Sequence, residues 1–214
     1  MTRILILGAG GHGQVVADIL ARSAGAGTPD RVIGYLDDNP HMHDKWLLNV
    51  QVLGHLSDID VISHDELVLA IGDNRRRQQL FAQLSARGES FAIARHPAAV
   101  IAPDVRIGPG TVICAGVIIN PGSVIGSNVI LNTGCSIDHH NQIGDHAHIA
   151  PGAHLGGDVT IGEGVLIGIG AIVMPQRHIG RWSVLGAGAL ATHDLSDHVV
   201  AIGVPAQVSK SQPT

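Results

Sequence analysis

The chain has 214 residues, of which 28 are glycine and only five are aromatic: two Trp, one Tyr and two Phe. Hydrophobic residues make up 45% of the sequence and charged residues 14%, and the formal net charge is −5. Proteins that bind single-stranded nucleic acid combine a basic groove with stacking aromatic side chains, so this composition argues against nucleic acid as a partner. The apolar content also excludes a disordered chain.

Cysteine usage and the N-terminal sequence bear on the cellular compartment. The two cysteines, Cys114 and Cys135, are too few for a disulfide framework. The sequence MTRILILGAGG lacks the basic start, the long apolar stretch and the cleavage site of a signal peptide. Glycine, aspartate or proline interrupts every aliphatic run well before the ~20 residues that a membrane-spanning helix needs. We therefore expect a cytoplasmic protein without membrane insertion.

The first part of the chain alternates short aliphatic runs with amphipathic segments. Arg3–Leu7 predicts a buried strand, and the glycine-rich residues 8–13 then lead into a helix. Arg31–Leu36 predicts a second strand and Leu67–Ile71 a third, and Asp73 is in the right place to cap the N-terminus of a second helix. Alternation of strands and helices predicts a small parallel α/β sheet.

The glycine-rich turn matches a nucleotide-binding pattern. Gly8, Gly10 and Gly13 form Gly-x-Gly-x-x-Gly between a predicted strand and a predicted helix, where the backbone can approach a phosphate at the helix N-terminus. This part of the chain is short for a full dinucleotide fold, and the acidic pair Asp37 and Asp38 lies further along than the usual spacing. A mononucleotide or a nucleotide sugar is the better fit, and a tight strand–helix turn without a ligand is the alternative.

Charge is unevenly distributed along the chain. Residues 1–100 carry nine of the 13 Lys and Arg residues and 11 of the 18 Asp and Glu residues. Three of these, Arg75, Arg76 and Arg77, are adjacent on the second predicted helix, where a solvated face is favoured over a contact with a diphosphate. The change in composition near His96 predicts a first domain at residues 1–96, a second at 97–192 and a C-terminal tail at 193–214.

Beyond residue 100 the aliphatic residues repeat every six positions. Fifteen consecutive hexads carry one, namely Ile101, Ile107, Ile113, Ile119, Ile125, Leu131, Ile137, Ile143, Ile149, Leu155, Ile161, Ile167, Val173, Ile179 and Leu185. The residue four positions later is small or β-branched in every hexad except two, which have Asn141 and Arg177. This hexapeptide pattern predicts a parallel β-helix with three hexads in each triangular coil. A narrow prism has no room for rings, which explains the shortage of aromatic residues.

The predicted prism has few charges on its outer faces. Residues 101–214 carry only four Lys or Arg and seven Asp or Glu, and many outward positions are Ile, Val or Ala. Because sheets that expose this much apolar surface usually pack against a partner, we expect a trimer with parallel prism axes.

Several motifs together resemble a known family. GAGGHG, LDD, AIGDN, the hexads containing SIDHHNQIGDHAHIAPGAHLGG, and a closing GVPA are similar to those of the bacterial nucleotide-sugar acetyltransferases. These include the N-acetyltransferases of bacillosamine, perosamine and viosamine synthesis and the sialic acid O-acetyltransferase-like proteins. The resemblance implies a small Rossmann-like α/β domain followed by a left-handed β-helix. It also implies a homotrimer that binds acetyl-CoA between its subunits and a nucleotide sugar in the N-terminal domain, for lipopolysaccharide or glycan synthesis.

The resemblance also implies roles for individual residues. His139 matches the general base, and Asp138 and His140 are the candidates to orient it, because His140 stands where some relatives have Glu. The remaining matches are contacts of the two substrates. The expected acetyl-CoA contacts are His148, Gly157, Ile169 and Ala187, and the expected nucleotide-sugar contacts are Gly10, Gly11, His12, Asp37, Asp38 and Gly72.

The implied reaction is direct acetyl transfer to the 4-amino group of a 4-amino-4,6-dideoxy sugar linked to UDP, dTDP or GDP. A neutral imidazole suits a general base at neutral pH, because histidine ordinarily titrates near ~6.5. Both cysteines sit in structural positions of the hexads, so no acyl-enzyme is expected, and no metal is needed. O-acetylation of a sugar such as sialic acid is the main alternative.

Two alternatives from other classes stay open at this point. The five histidines between residues 139 and 154 would suit a zinc hydro-lyase on a trimeric β-helix, as in the γ-class carbonic anhydrases. Such a lyase has no use for the glycine-rich N-terminal domain. A non-enzymatic scaffold would leave the glycine turn, the acidic pair and His139 without a common purpose.

Overall fold

The computed structural model describes residues 1–211, which form two compact units, Met1–Pro97 and a second unit that begins at Ala98. The elements of the first unit are β1 (Arg3–Leu7), α1 (Gly11–Gly25), β2 (Arg31–Leu36), β3 (Trp46–Leu47), β4 (Val50–Gly54), β5 (Glu66–Leu69), α2 (Asn74–Ala86) and β6 (Ala94–Arg95). Single turns of 3-10 helix occur at Pro40–Met42 and Leu56–Val61.

The first five strands form one sheet in the order β3-β4-β2-β1-β5. Neighbouring strands run parallel except in the β3–β4 hairpin. The predicted parallel α/β sheet is therefore confirmed, although β5 ends at Leu69 and not at Ile71. Sequence analysis missed the hairpin, whose two-residue turn places Leu48 and Asn49 in the left-handed region. Leu48 is an unusual residue for that conformation, so the turn has no glycine signal.

The two helices of this unit begin differently. Asp73 caps α2, as predicted, because its carboxylate accepts a hydrogen bond from the backbone N–H of Arg76 at 2.8 Å. At the start of α1 the capping residue is Gly10, which offers no side chain to the first turn, and that turn holds no acidic residue. The N–H groups at the start of α1 thus lack a side-chain cap.

The second unit is the predicted β-helix. Its two-residue strands are β7 (Val100–Ile101), β8 (Arg106–Ile107), β9 (Val112–Ile113), β10 (Ile118–Ile119), β11 (Val124–Ile125), β12 (Ile130–Leu131), β13 (Ser136–Ile137), β14 (Gln142–Ile143), β15 (His148–Ile149), β16 (His154–Leu155), β17 (Thr160–Ile161), β18 (Leu166–Ile167), β19 (Ile172–Val173), β20 (His178–Ile179), β21 (Val184–Leu185) and β22 (Leu190–Ala191). Each strand pairs in parallel with the strand 18 residues away, as for Ile119 and Ile137.

The strands stack into three parallel sheets. Sheet I contains β7, β10, β13, β16, β19 and β22, sheet II contains β8, β11, β14, β17 and β20, and sheet III contains β9, β12, β15, β18 and β21. The second residue of nearly every strand points inward, so Ile113, Leu131 and Ile149 are fully buried. The first residue points outward and makes the three faces differ. Val100, Ile118 and Ile172 are exposed on sheet I, whereas sheet II presents mainly polar side chains.

Four-residue turns at three corners connect the sheets, and one corner is distinctive. Between sheets III and I, the turn residue with positive φ is always glycine, and we call this column the glycine corner. Its members are Gly116, Gly134, Gly152, Gly170 and Gly188. Four of them have no atom within 4 Å of where a Cβ would stand, so the backbone lies open along this edge.

The segment predicted as a C-terminal tail continues sheet III. Strand β23 (Val199–Ile202) pairs in parallel with β21, and β24 (Gln207–Ser211) pairs with β23 in antiparallel fashion. Val199 and Ala201 are buried, which explains why this segment extends the sheet. The last three residues of the predicted tail lie outside the described residues. Within residues 1–211, no helix has the length and apolarity needed to cross a membrane.

Candidate active site

The candidate base lies in the turn between β13 and β14. We call residues 138–141 the histidine turn. The side chains of His139 and His140 are exposed there, and their Nδ1 atoms are 3.0 Å apart, so one imidazole donates a hydrogen bond to the other. Their rings meet edge to face, with centroids 5.2 Å apart and planes at 77°. The structure therefore pairs two of the residues that the sequence singled out.

Gly157 forms the surface on which the His139 ring rests. It lies in the equivalent turn of the next coil, and it is buried although His139 is exposed. A Cβ on Gly157 would lie only 2.5 Å from Cε1 and Nε2 of His139. Real Cβ atoms do not approach other atoms this closely, so the position of the ring depends on a glycine here. Gly157 was expected among the acetyl-CoA contacts, and the structure adds this contact with His139.

Asp138 binds the backbone of the turn. Its Oδ1 accepts hydrogen bonds from the backbone N–H of His139 at 2.8 Å and from the side-chain amide of Asn120 at 2.9 Å. These two bonds, with the Asn120 bond the larger contribution, lower the pKa of the Asp138 carboxyl. Asp138 was expected to orient the His139 ring, but the ring's printed partner is His140. The carboxylate therefore stabilises the turn that carries the ring.

A third titratable side chain lies beside the two histidines. His139, His140 and Asp158 each offer one metal-ligand atom, and these atoms all lie within 4.8 Å of one another. All three side chains are exposed. A zinc hydro-lyase would need three such ligands with an open fourth position, so this group is where that alternative reading would place a metal.

The other expected acetyl-CoA contacts lie elsewhere on the prism. Ile169 and Ala187 are both exposed and each directly precedes a glycine of the glycine corner. His148 is the outward residue of β15 on sheet III, and its Nε2 is 3.2 Å from the side-chain amide of Asn132. Sheet I separates these residues from the histidine turn, which joins sheets I and II. Within one chain, the structure does not bring them together with His139.

Both cysteines are buried inside the prism, with Cys114 1% exposed and Cys135 0%. Burial raises the pKa of the Cys114 thiol to about 11 and that of Cys135 to about 12, so neither is a thiolate at neutral pH. We therefore expect iodoacetamide to leave turnover unchanged at neutral pH. Acetyl-CoA alone should add no acetyl group to the protein, as measured by intact mass. Stoichiometric acetylation of either cysteine would contradict direct transfer.

A second group of candidate residues surrounds the glycine turn of the first unit. A Cβ on Gly8 would lie 2.8 Å from the carbonyl oxygen of Ala70, and φ at Gly8 is +110°, so only glycine suits this position. Gly10, Gly11 and Gly72 have open space where a Cβ would stand. Together with the uncapped N-terminus of α1, these open positions form a cradle suited to a phosphate.

The acidic pair after β2 is already engaged by protein groups. Asp37 accepts hydrogen bonds from the backbone N–H of Ala9 at 2.7 Å and of Asn39 at 2.8 Å. The carboxylate of Asp38 is 2.9 Å from His55 Nε2 and 2.8 Å from Arg76 Nη2. Asp37 thus fixes the glycine turn, and Asp38 stays at the surface, more than a third exposed, within an ion-pair cluster.

Arg77 is buried, so the prediction of a solvated face is wrong for this one of the three arginines. It is only 1% exposed, because its guanidinium turns inward to donate to the carbonyl of Ile71 at 2.9 Å and to Asn74 Oδ1 at 2.9 Å. Burial lowers the pKa of Arg77 to about 10. Burial and, to a lesser extent, this guanidinium lower the pKa of His12 to about 4. His12 is therefore neutral at neutral pH.

The shifted pKa of His12 predicts how stability depends on pH. In the unfolded chain a histidine titrates near ~6.5, so between that pH and about 4 the unfolded state binds more protons. We therefore expect the free energy of unfolding to fall as the pH is lowered through this range. The difference between wild type and His12→Asn, measured by urea denaturation at several pH values, should shrink towards low pH. Parallel curves would contradict the shift.

Sequence reasoning missed several residues that support these sites. Asn120, Ser123 and Asp158 contact the histidine turn from neighbouring coils, and no local motif marks them. Their positions modulo the 18-residue coil were the available signal. Asn141 was visible as an exception to the hexad pattern, but the pattern alone does not say what the exception does.

Comparisons with known proteins agree with these observations. The family model described as the PglD N-terminal domain matches residues 3–84. The bacterial transferase hexapeptide model, of six repeats, matches residues 142–168 and 158–193. A curated galactoside O-acetyltransferase from Lactococcus lactis is 51% identical over 39 residues, and the match spans 18% of this chain and 19% of that protein.

Solved structures match over the whole chain. PerB from Caulobacter crescentus, in complex with CoA and GDP-perosamine, is 37% identical with a TM-score of 0.90, and 98% of each chain is covered. A histidine variant of GDP-perosamine N-acetyl transferase from the same organism, in complex with the same two ligands, is 36% identical with a TM-score of 0.92 over 99% of this chain and 98% of that one. The acetyltransferase domain of PglB from Neisseria gonorrhoeae, in complex with acetyl coenzyme A, is 31% identical with a TM-score of 0.88 over 97% and 98%.

These matches, together with the fold, show the family. The chain belongs to the nucleotide-sugar acetyltransferases of the hexapeptide-repeat superfamily, as its motifs indicated. The protein is therefore an acyltransferase.

Proposed function

We propose that the protein transfers the acetyl group of acetyl-CoA to the 4-amino group of a nucleotide-linked 4-amino-4,6-dideoxy sugar, with His139 as general base. The observation that carries this proposal is the exposed His139 imidazole, seated on Gly157 and bonded through Nδ1 to His140. PerB, which binds CoA and GDP-perosamine in its solved structure, is 37% identical over nearly the whole chain, which supports the choice of both substrates. The product would be a precursor for glycan synthesis.

The pairing of the two histidines suits a base. When His139 Nδ1 donates its proton to His140 Nδ1, the Nε2 of His139 has a free lone pair. This is the tautomer that accepts a proton from an incoming ammonium or amine. His140 then takes the orienting role that some relatives give to a carboxylate.

The reaction balances with the groups of this site. The amine nitrogen attacks the thioester carbonyl carbon of acetyl-CoA, and a C–N bond forms while the amine proton moves to Nε2 of His139. The tetrahedral intermediate then collapses, the C–S bond breaks, and the CoA sulfur leaves with a proton returned from the imidazole. The buried cysteines take no part, because their raised pKa values keep the thiols protonated.

The first unit is proposed to hold the nucleotide sugar. The cradle at Gly10 and Gly11, with the N-terminus of α1 behind it, accepts the diphosphate. Neutral His12 adds a hydrogen-bonding side chain beside the cradle without adding charge. Asp37 reaches the ligand through the loop it holds, and Asp38 is the exposed carboxylate at this edge. GDP is the first nucleotide to test, because the solved PerB complex contains GDP-perosamine.

We further propose a homotrimer with active sites between subunits. His139 and the expected acetyl-CoA contacts Ile169 and Ala187 lie on opposite sides of sheet I in one chain, so a complete site needs a second chain. The outward residues of sheet I include the exposed Ile118 and Ile172, which supplies an apolar surface for such packing. Mixing inactive His139→Ala with inactive Ala187→Trp protein, after partial denaturation and refolding, should restore activity if subunits share sites. Light scattering would report the trimer directly.

Thiol release from acetyl-CoA tests the function. Purified protein is mixed with acetyl-CoA and a 4-amino-4,6-dideoxy sugar linked to GDP, UDP or dTDP, and the sugar product is identified by mass spectrometry. Each amino sugar is matched with its 4-hydroxy counterpart. We expect acetylation of an amine, with one nucleotide clearly preferred. Acetylation of the hydroxyl sugars alone would support O-acetylation, and absence of thiol release with all of them would overturn the proposal.

A further inference from the structure

Asn141 breaks the hexad pattern and is fully buried. It closes the histidine turn and occupies a corner position that holds Val105, Ser123, Val159 and Arg177 in the other coils. Because valine fills the equivalent position in two coils, an amide is not required to build this corner. The presence of a polar side chain in an apolar interior therefore needs another reason.

The Asn141 amide joins two adjacent coils at the histidine turn. Its Nδ2 donates to the carbonyl oxygen of Asp138 at 2.6 Å and to that of Gly156 at 2.9 Å. The first bond closes the turn that carries His139, and the second binds the turn that carries Gly157, on which the His139 ring rests. The Oδ1 of Asn141 is buried and has no hydrogen-bond partner within residues 1–211, which costs stability. The amide thus fixes the imidazole relative to its seat at a cost to the fold.

Ser123 holds the same turn from the preceding coil. Its hydroxyl donates to the carbonyl oxygen of Asp138 at 2.9 Å and accepts from the backbone N–H of Asn141 at 3.2 Å. Ser123 is 1% exposed. The carbonyl of Asp138 therefore accepts hydrogen bonds from two buried side chains, one in the coil below and one in the turn itself.

We propose that Asn141 and Ser123 are positioning residues for acetyl transfer, which hold the His139 imidazole over Gly157 and aligned with the substrate amine. The inference rests on the proposed role of His139 as general base. Neither residue reaches the surface, so neither touches a substrate. Their effect is on the geometry of the base, and a displacement of the order of ~1 Å at a reacting group is enough to lower a rate ~100-fold.

A purely structural role is the competing explanation, and the prism offers a matched control. Thr111, at a different corner, makes the same pair of bonds as Ser123. Its hydroxyl donates to the carbonyl of Gly126 at 2.9 Å and accepts from the backbone N–H of Val129 at 3.2 Å. Thr111 is equally buried and lies outside the candidate sites. Its loss should affect stability in the same way as the loss of the Ser123 hydroxyl.

The test compares Ser123→Val, Ser123→Thr, Asn141→Val and Thr111→Val in the full-length protein. Turnover number, KM for each substrate, CoA affinity by calorimetry and melting temperature are measured for each. We expect kcat to fall ~10-fold in Ser123→Val and ~100-fold in Asn141→Val, with KM and CoA affinity within ~2-fold of wild type. Ser123→Thr, which retains the hydroxyl, should restore kcat. Thr111→Val should keep wild-type kcat despite a similar loss of melting temperature.

The proposal is overturned if kcat in Ser123→Val and Asn141→Val equals that of Thr111→Val. It is also overturned if the rate loss of Ser123→Val persists in Ser123→Thr. Should Asn141→Val fail to fold, the Ser123 pair decides alone, because Thr and Val differ by a hydroxyl at nearly equal volume. His139→Ala is measured in parallel. If that variant keeps wild-type turnover, the proposed function itself fails, whereas a dead His139→Ala beside unaffected Ser123 and Asn141 variants refutes only the positioning role.

Discussion

Replacement of His139 by alanine is expected to lower the turnover number by roughly 100- to 10,000-fold, the usual contribution of a general base. The exposed imidazole has Nδ1 engaged by His140, which leaves Nε2 as its proton acceptor. Removing the ring leaves the histidine turn intact, because Asp138, Ser123 and Asn141 bind its backbone and not the imidazole. The measurement is thiol release at saturating acetyl-CoA and amino sugar.

Binding and stability serve as controls for this variant. CoA affinity by calorimetry and the melting temperature should stay close to wild type, since an exposed side chain contributes little to either. His178→Ala is a matched control, because His178 is also an exposed histidine of the prism but points outward from sheet II. Turnover of His139→Ala within ~3-fold of wild type would remove His139 as the base, since general-base catalysis contributes at least ~100-fold.

Gly157→Ala should cost nearly as much as removing a catalytic group, although Gly157 itself bears no functional group. Its Cβ would stand 2.5 Å from Cε1 and Nε2 of His139, so the ring must leave its seat. The backbone of Gly157 is not in the left-handed region, and alanine is therefore compatible with the local chain conformation. The protein should fold, and kcat should fall on the order of ~100-fold because the base is misplaced.

A double-mutant cycle distinguishes displacement of the ring from loss of a cofactor contact. If Gly157 acts through the imidazole, Gly157→Ala should have no further effect on kcat in a His139→Ala background. The residual rate and CoA affinity are measured for the two single variants and the double variant. A Gly157→Ala variant that loses CoA affinity equally in both backgrounds would instead show that Gly157 is primarily a cofactor contact.

The repeat made the second unit readable from sequence. Each coil spends 18 residues, so an inward aliphatic residue at every sixth position places all strands, their register and their inward faces at once. The same arithmetic separates the corners. His139 and Gly157 are one coil apart and share a corner, while Ile169 and Ala187 share another. What the period does not reveal is which exceptions to it matter, and Asn141 acquires meaning only from its bonds to Asp138 and Gly156.

The first unit was less predictable because no repeat constrains it. Strands β1 and β2 follow from aliphatic runs, but the β3–β4 hairpin turns at Leu48 and Asn49, which lack the usual glycine. Three adjacent arginines look alike in sequence, yet Arg77 is buried and Arg76 meets Asp38 at the surface. Helix phase alone does not specify this, since an inward arginine is acceptable only where carbonyl and amide oxygens await it.

Sites built on a coiled prism change in whole steps. An insertion of 18 residues between Asp158 and Ile169 would leave each side chain on its original face and move the two sets of residues apart by one strand spacing, ~4.8 Å. Insertions of six or 12 residues would carry the later residues to another face, and other lengths would turn aliphatic side chains out of the interior. Relatives with longer or shorter prisms are therefore expected to differ by multiples of one coil, so that divergence in this fold proceeds by discrete lengthening, while fine adjustment is left to point substitutions at the corners.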